Sequence, residues 1–286
     1  MSFGFGARST VARTDGATAC LYTAYFDEAD THGPSPTIIM GGCLGTSSQW
    51  EIFGRRLRAL QRRDGFTIFH VNEFKAKTGE FCGWPDTKCM KLVEDLTALV
   101  RDHLTEGLTV HLERDRYLKE YRADPIPKKM SLDSQYGVCF RACMRQVLAI
   151  VMEDGQNHRL DVVIEDGHPN VQDCVRIFDD LKWRLRQRRG IDLLGKITVA
   201  KKHQAPRLMA ADFLASTYSM MRASKAAGGL DYANEAPEAP KGQAGLTFLE
   251  LLPDALSRLK EDFEADRQEA AAAWRARRQA AKAIQR

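Results

Sequence analysis

Five acids stand where this sequence can do chemistry. Asp27 and Glu28 end the run Leu21-Tyr22-Thr23-Ala24-Tyr25-Phe26, and Glu165 and Asp166 end Arg159-Leu160-Asp161-Val162-Val163-Ile164. Asp212 lies in Ala210-Ala211-Asp212-Phe213-Leu214-Ala215. Carboxylates carried to the end of a buried strand are costly to desolvate and repel one another, so a cation between them is the expected remedy. A set of acids with no cysteine and little histidine favours Mg²⁺ or Mn²⁺ over zinc. Side chains alternate along a strand, so Asp27 shares a face with Tyr25, and Asp166 with Val162 and Ile164. One acid of each pair is therefore expected as a ligand, with the other in a supporting or solvated place. The competing reading is that strand-end acids simply meet water. It is weaker for Asp212, whose neighbours Leu208, Met209, Ala211, Phe213 and Leu214 leave it needing an arginine or a metal.

The elements that must position these acids follow from periodicity. A first strand through Phe26 is expected to form a hairpin with Pro36–Gly45. Ser48 and Glu51 read as a capping box that starts a helix to about Arg63, with Trp50, Phe53, Leu57 and Leu60 on one side. Phe66–Val71 reads as a third short strand running into Asn72-Glu73-Phe74. A helix from Asp86, a strand at Leu108–Leu112, a short helix at Asp115–Tyr121 and a long helix from Ser131 to Asp154 come next. They are followed by the acidic strand 159–166, a helix to Arg189, a strand at Leu193–Ala200 and the Asp212 helix from Pro206 to about Arg222. In open α/β sheets, functional groups collect beyond the carboxyl ends of the strands. Two strand ends and one helix can thus bring three carboxylates to a point. The fold class is α/β, a mixed sheet flanked by helices. The expected divisions are a loose leader (1–18), the α/β domain (19–223), a linker or mobile loop (224–245) and a helical extension (246–286) able to pair with another chain.

Composition sets bounds on function. The 286 residues are 44% hydrophobic and 28% charged, ordinary for a globular chain. There is no apolar run long enough to span a bilayer and no signal-peptide core, which predicts a cytoplasmic protein. The seven cysteines then read as reduced and mostly buried, with Cys139 and Cys143 at helical spacing. The net charge of +4 is modest. Its distribution says more: basic groups gather at 55–63, at Lys182, Arg184, Arg186, Arg188 and Arg189, and at Lys201-Lys202-His203. Such groups suit a phosphate backbone or merely solvate helices. The Lys201-Lys202-His203 group, between a strand end and the Asp212 helix, is the better candidate for substrate.

Four short motifs in order carry a resemblance. Tyr25-Phe26-Asp27-Glu28-Ala29-Asp30 resembles the hydrophobic-Asp-Glu-Ser-Gly opening of the domain of unknown function 3800 family. His70-Val71-Asn72-Glu73-Phe74 is similar to its His-x-x-acid motif, Val163-Ile164-Glu165-Asp166 to its later acidic strand, and Ala211-Asp212-Phe213-Leu214-Ala215 to its closing Gln-x-Ala-Asp helix. Ala29-Asp30 stands where Ser-Gly is usual, and Met209 where Gln is usual. The resemblance implies a ribonuclease H-like fold in which acids of the first strand, a middle element, the fourth strand and the last helix bind divalent metals. Here these would be Asp27, Glu73, Asp166 and Asp212, with Glu28, Glu165 and His70 alongside.

The chemistry so implied is phosphodiester hydrolysis in DNA or RNA by a two-metal carboxylate mechanism. His70 would aid proton transfer or product release, or simply pack at a strand end; His168 carries the same two readings. Two other classes compete. One is a catalytically silent nucleic-acid-binding or assembly protein that keeps the fold. The other is a nucleotide phosphohydrolase, which needs a closed pocket.

Overall fold

In a computed structural model of the chain, residues 20–29, 36–122, 132–154, 158–226 and 244–261 are described, with positions 263, 264, 268 and 272. The expected leader, Asp30, the hairpin turn, most of 224–245 and most of the tail lie outside the described residues.

Six strands form one mixed sheet: β1 (Leu21–Ala29), β2 (Thr37–Thr46), β3 (Glu106–Glu113), β4 (Arg159–Glu165), β5 (Leu194–Ala200) and β6 (Gly245–Glu250), in the order β5-β4-β1-β2-β3-β6. Only β2 runs against its neighbours. The helices are α1 (Ser47–Asp64), α2 (Val71–Ala76), α3 (Asp86–His103), the single turn α4 (Arg114–Arg116) leading into a π-helical turn at Tyr117–Tyr121, α5 (Gln135–Asp154), α6 (Val171–Arg189) and α7 (Leu208–Ala226). Alternation along the central strands sends residues to both faces. Phe26, Met40, Val110 and Ile164 pack under Phe140 and Val147 of α5 and Phe178 of α6. Tyr25 and Cys43 pack on the opposite face, with Trp50 and Phe53 of α1, Leu96 of α3 and Phe213 of α7. The molecule is an α/β protein whose sheet is flanked by helices on both faces.

Several local expectations are corrected. The cap of α1 is Thr46, which accepts from the Gln49 backbone N–H while the Gln49 side chain returns to the Thr46 backbone; Ser48 and Glu51 do not form the box. Phe66–Val71 is not a strand. No strand partner takes up its central N–H groups, which go to side chains, Ile68 N–H to Glu80 (3.1 Å) and Phe69 N–H to Met209 Sδ (3.0 Å). Phe66 and Phe69 instead join an aromatic cluster with Phe74, Phe81, Trp84 and Phe213. The expected helix from Leu246 is a strand first: β6 pairs in parallel with β3 (Leu108↔Thr247, Val110↔Leu249), and helix follows over 253–261. Residues 246–250 therefore belong to the sheet. All seven cysteines are free thiols, with Cys43, Cys139, Cys143 and Cys174 buried.

Candidate acid centre at the strand ends

The site is built by register. β1 and β4 run parallel with Tyr25↔Val163 and Phe26↔Ile164, and continuing that pairing by one residue sets Asp27 beside Glu165 on the α7 side. Across β2, Asp27 faces Gly41. A Cβ at Gly41 would lie 2.3 Å from the Ala211 carbonyl and 2.8 Å from Ala215 N, so the helix backbone rests directly on the strand there. This close approach lowers Asp212, in the first turns of α7, onto the strand ends. After β5, a tight turn (Gln204 N–H to Lys201 O, 2.9 Å) aims Lys202 inward.

Lys202 Nζ stands 2.9 Å from Asp27 Oδ2, 3.0 Å from Glu165 Oε2 and 3.0 Å from Asp212 Oδ2. Ser216, one turn beyond Asp212, donates to its Oδ1 (3.3 Å). Glu28 N–H donates to Asp27 Oδ1 (2.8 Å), and Tyr136 of α5 donates to Glu28 Oε2 (3.3 Å). The His168 ring stacks on Tyr136 at 3.8 Å.

The electrostatics follow from burial. Asp27, fully buried, is pushed well above the usual carboxylate range by desolvation, by its hydrogen bond with Glu165 and by the Asp212 charge, against the pull of Lys202. Burial likewise raises Asp212 despite Lys202. Burial also works to raise Glu165, but the bond with Asp27 and the Lys202 charge outweigh it, and its carboxyl sits below the usual range. Burial and then the Glu165 charge raise Glu28 to about 7. Burial opposes the Lys202 charge, yet Asp27, Asp212 and Glu165 hold that ammonium above its ordinary value.

Asp27, Glu28 and Glu165 each offer a carboxylate oxygen within 4.8 Å of the other two, an arrangement that could hold a metal ion. Asp27 Oδ2 is buried and meets the Lys202 ammonium at 2.9 Å. An all-oxygen donor set of this kind fits a hard divalent ion.

The remaining expected residues are placed differently. Glu165, not Asp166, meets Asp27 and Lys202, because register and not the hydrophobicity of Val162 and Ile164 sets the shared face. Asp166 is exposed; it lines a cavity of about 900 Å³ above the centre, together with His70, Glu73, His168 and Lys202. The Glu73 carboxylate leans against Gly79, where a Cβ would meet its Oε2, and it is outside the close oxygen group. Of the expected substrate group, Lys202 is spent on the acids, Lys201 is exposed, and His203 lines a neighbouring cavity of about 510 Å³ with Arg58 and Arg207. Tyr136 and Ser216 were not expected. The i, i+4 spacing of Asp212 and Ser216 on one helix face was a usable signal for the second.

Sheet and site together define an α/β protein with a buried carboxylate–lysine centre at its strand ends. No protein-family model matches the chain, and no curated protein is similar to it. Among the described residues no helix is long and apolar enough to cross a membrane.

Proposed function

We propose that the protein hydrolyses phosphodiester bonds of nucleic acid with Mg²⁺ or Mn²⁺ held at Asp27, Glu28 and Glu165. The observation that carries this reading is the convergence of Asp27, Glu165 and Asp212 on one point at the floor of a large polar cavity. The order of the acids, from the first strand, the fourth strand and a late helix, supports kinship with the domain of unknown function 3800 family and a ribonuclease H-like fold, with Glu165 in the place expected of Asp166.

A bound divalent ion would polarise the phosphate and activate the attacking water. The chain's own residues do the rest. Asp212 and Glu165 fix the Lys202 ammonium, which holds one positive charge among four acids (Asp27, Glu28, Glu165 and Asp212). When all four are ionised three negative charges remain, a charge that a divalent cation would offset. Lys202 in turn holds the Asp27, Glu165 and Asp212 carboxylates together at the cavity floor. His70, near enough to Glu165 to influence its titration, is placed to move a proton at the cavity wall.

The test is cleavage of single- and double-stranded DNA and RNA with Mg²⁺, Mn²⁺ or EDTA. Asp27→Asn and Asp212→Asn should each cut the rate by at least about 100-fold, beyond the range for groups that only support ligands. Cleavage that persists in both variants, or in EDTA, overturns the reading.

A further inference from the structure

We infer that the cavity between α1 and the start of α7 takes one unpaired nucleotide, and so selects single-stranded nucleic acid for the acid centre. The inference deepens the proposed hydrolysis and, for its part in substrate choice, rests on it. The cavity, about 510 Å³, falls within the roughly 300–1,000 Å³ of pockets that enclose one small molecule.

Its position along β1 ties it to the acids. Tyr25 lines it, and Tyr25 and Asp27 are two residues apart on one strand face, roughly 7 Å. Lys202 lines this cavity and the acid cavity alike. The distance is one or two steps of a nucleic-acid strand, each roughly 3.4 Å when stacked and longer when unstacked. A nucleotide seated here therefore leaves its neighbour's phosphate at the acids.

Two guanidinium groups define the place of the anion. A Cβ added at Gly54 would lie 3.5 Å from Arg58 Nη1 and 3.9 Å from Arg207 Nε, so both groups approach one point. Arg207 donates to the neutral hydroxyl of Tyr25 (3.4 Å), and among the described residues neither arginine is paired with an acid. Two like charges drawn together favour an anion between them, and guanidinium forks match the oxygens of a phosphate.

The rest of the lining suits a base. Leu57, Ile68, Ala205 and Pro206 give apolar surface. Gln61 and Gln204 are each anchored by one bond, to the Thr67 carbonyl and from the Lys201 N–H (3.2 Å), which fixes their amides at the wall. Bare phosphate leaves the apolar part unused, and an apolar ligand leaves the arginines unused. A base in a duplex reaches such a pocket only by leaving its stack and its partner, so an unpaired strand binds at lower cost.

Adenosine monophosphate, titrated calorimetrically into the full chain in EDTA, tests the pocket apart from cleavage. One saturable site is expected. Adenosine and inorganic phosphate should each bind at least about tenfold more weakly, because either lacks half of the contacts. Arg58→Gln and Gly54→Leu should each weaken the nucleotide by at least about tenfold, the first by removing charge and the second by filling the space. Arg55→Gln, on the exposed side of α1, should bind as the native chain does. In Mn²⁺ the native chain should cleave single strands at least about tenfold faster than duplex, a preference that Gly54→Leu should erase. Nucleotide binding without any cleavage would overturn the hydrolysis and retain the pocket. No saturable nucleotide binding, equal weakening by Arg55→Gln, or duplex cleaved as fast as single strands overturns the inference.

Discussion

The Lys202 ammonium lies 2.9 Å from the buried Asp27 carboxylate, at the point where Glu165 and Asp212 also arrive. A lysine with little exposure among three acids is a resident cation. It stabilises the cluster before any ion binds, and it competes for the same oxygens once one does.

Lys202→Met should therefore expose that balance. In metal-free buffer the variant is expected to lose about 3–5 kcal/mol, the scale for breaking a buried ion pair. Mn²⁺ should restore more stability to the variant than to the native chain, because the acids are left needing charge. Urea denaturation of both proteins with EDTA and with Mn²⁺ checks this; an equal response to Mn²⁺ would sink it.

Glu28 gives the acid centre a pH signature. Its carboxyl moves from 4.5 to about 7, through burial first and the Glu165 charge second, with Tyr136 and Lys202 pulling down. The folded state thus holds this proton more tightly than the unfolded chain. Its stabilising contribution is complete below about pH 4.5 and is lost as pH rises through about 7. Glu165, held low, acts in the opposite sense and loses its contribution as pH falls into the acid range. Between pH 5 and 8 in EDTA, the native chain should lose on the order of 3 kcal/mol relative to Glu28→Gln. Parallel denaturation curves for the two would refute the assignment.

Gly41 and Gly42 separate packing from geometry. A methyl at Gly41 strikes the α7 backbone, whereas at Gly42 it presses on the Phe26 ring on the other face. Both alanine variants should cost about 1–3 kcal/mol by overpacking. Only Gly41→Ala should also weaken Mn²⁺ binding, because it lifts Asp212 and shifts the Lys202 ammonium that Asp212 anchors. Electron paramagnetic resonance of bound Mn²⁺ distinguishes them, and identical affinities in the two variants would count against the role of this approach.

Arg207 predicts how substrate is held. It reaches Tyr25 Oη (3.4 Å) and lines, with Arg58 and His203, the cavity that shares Lys202 with the acid centre. Arg207→Gln should raise KM for an oligonucleotide several-fold with kcat little changed, and should reduce the salt slope by about one. A fall in kcat alone would place Arg207 in the chemistry instead.

Much of this was legible in the chain. β1, its abrupt acids and the apolar company of Asp212 announce themselves, because burial and charge conflict within a few residues. The choice between Glu165 and Asp166 was not legible, since both end the same strand and only the pairing Phe26↔Ile164 decides which one faces Asp27. Lys202 was hidden in a Lys-Lys-His run that reads as basic surface until a turn buries one member. Leu246–Glu250 looked helical because its partner, β3, is far away in sequence. Phe66–Val71 looked like a strand because aromatic residues suit both a pleated face and the cluster they join.

The acid centre draws on Asp27, Glu165, Lys202 and Asp212, which are far apart along the chain. No local hairpin or helix pair contains it. A nascent chain that has formed only the β1–β2 hairpin carries two of the acids and none of their partners. The centre comes into being only when β4, the turn after β5 and α7 have docked, a late and long-range event in folding. Whatever this centre does, it can begin only after synthesis has passed α7, so the order of assembly itself keeps incomplete chains inert.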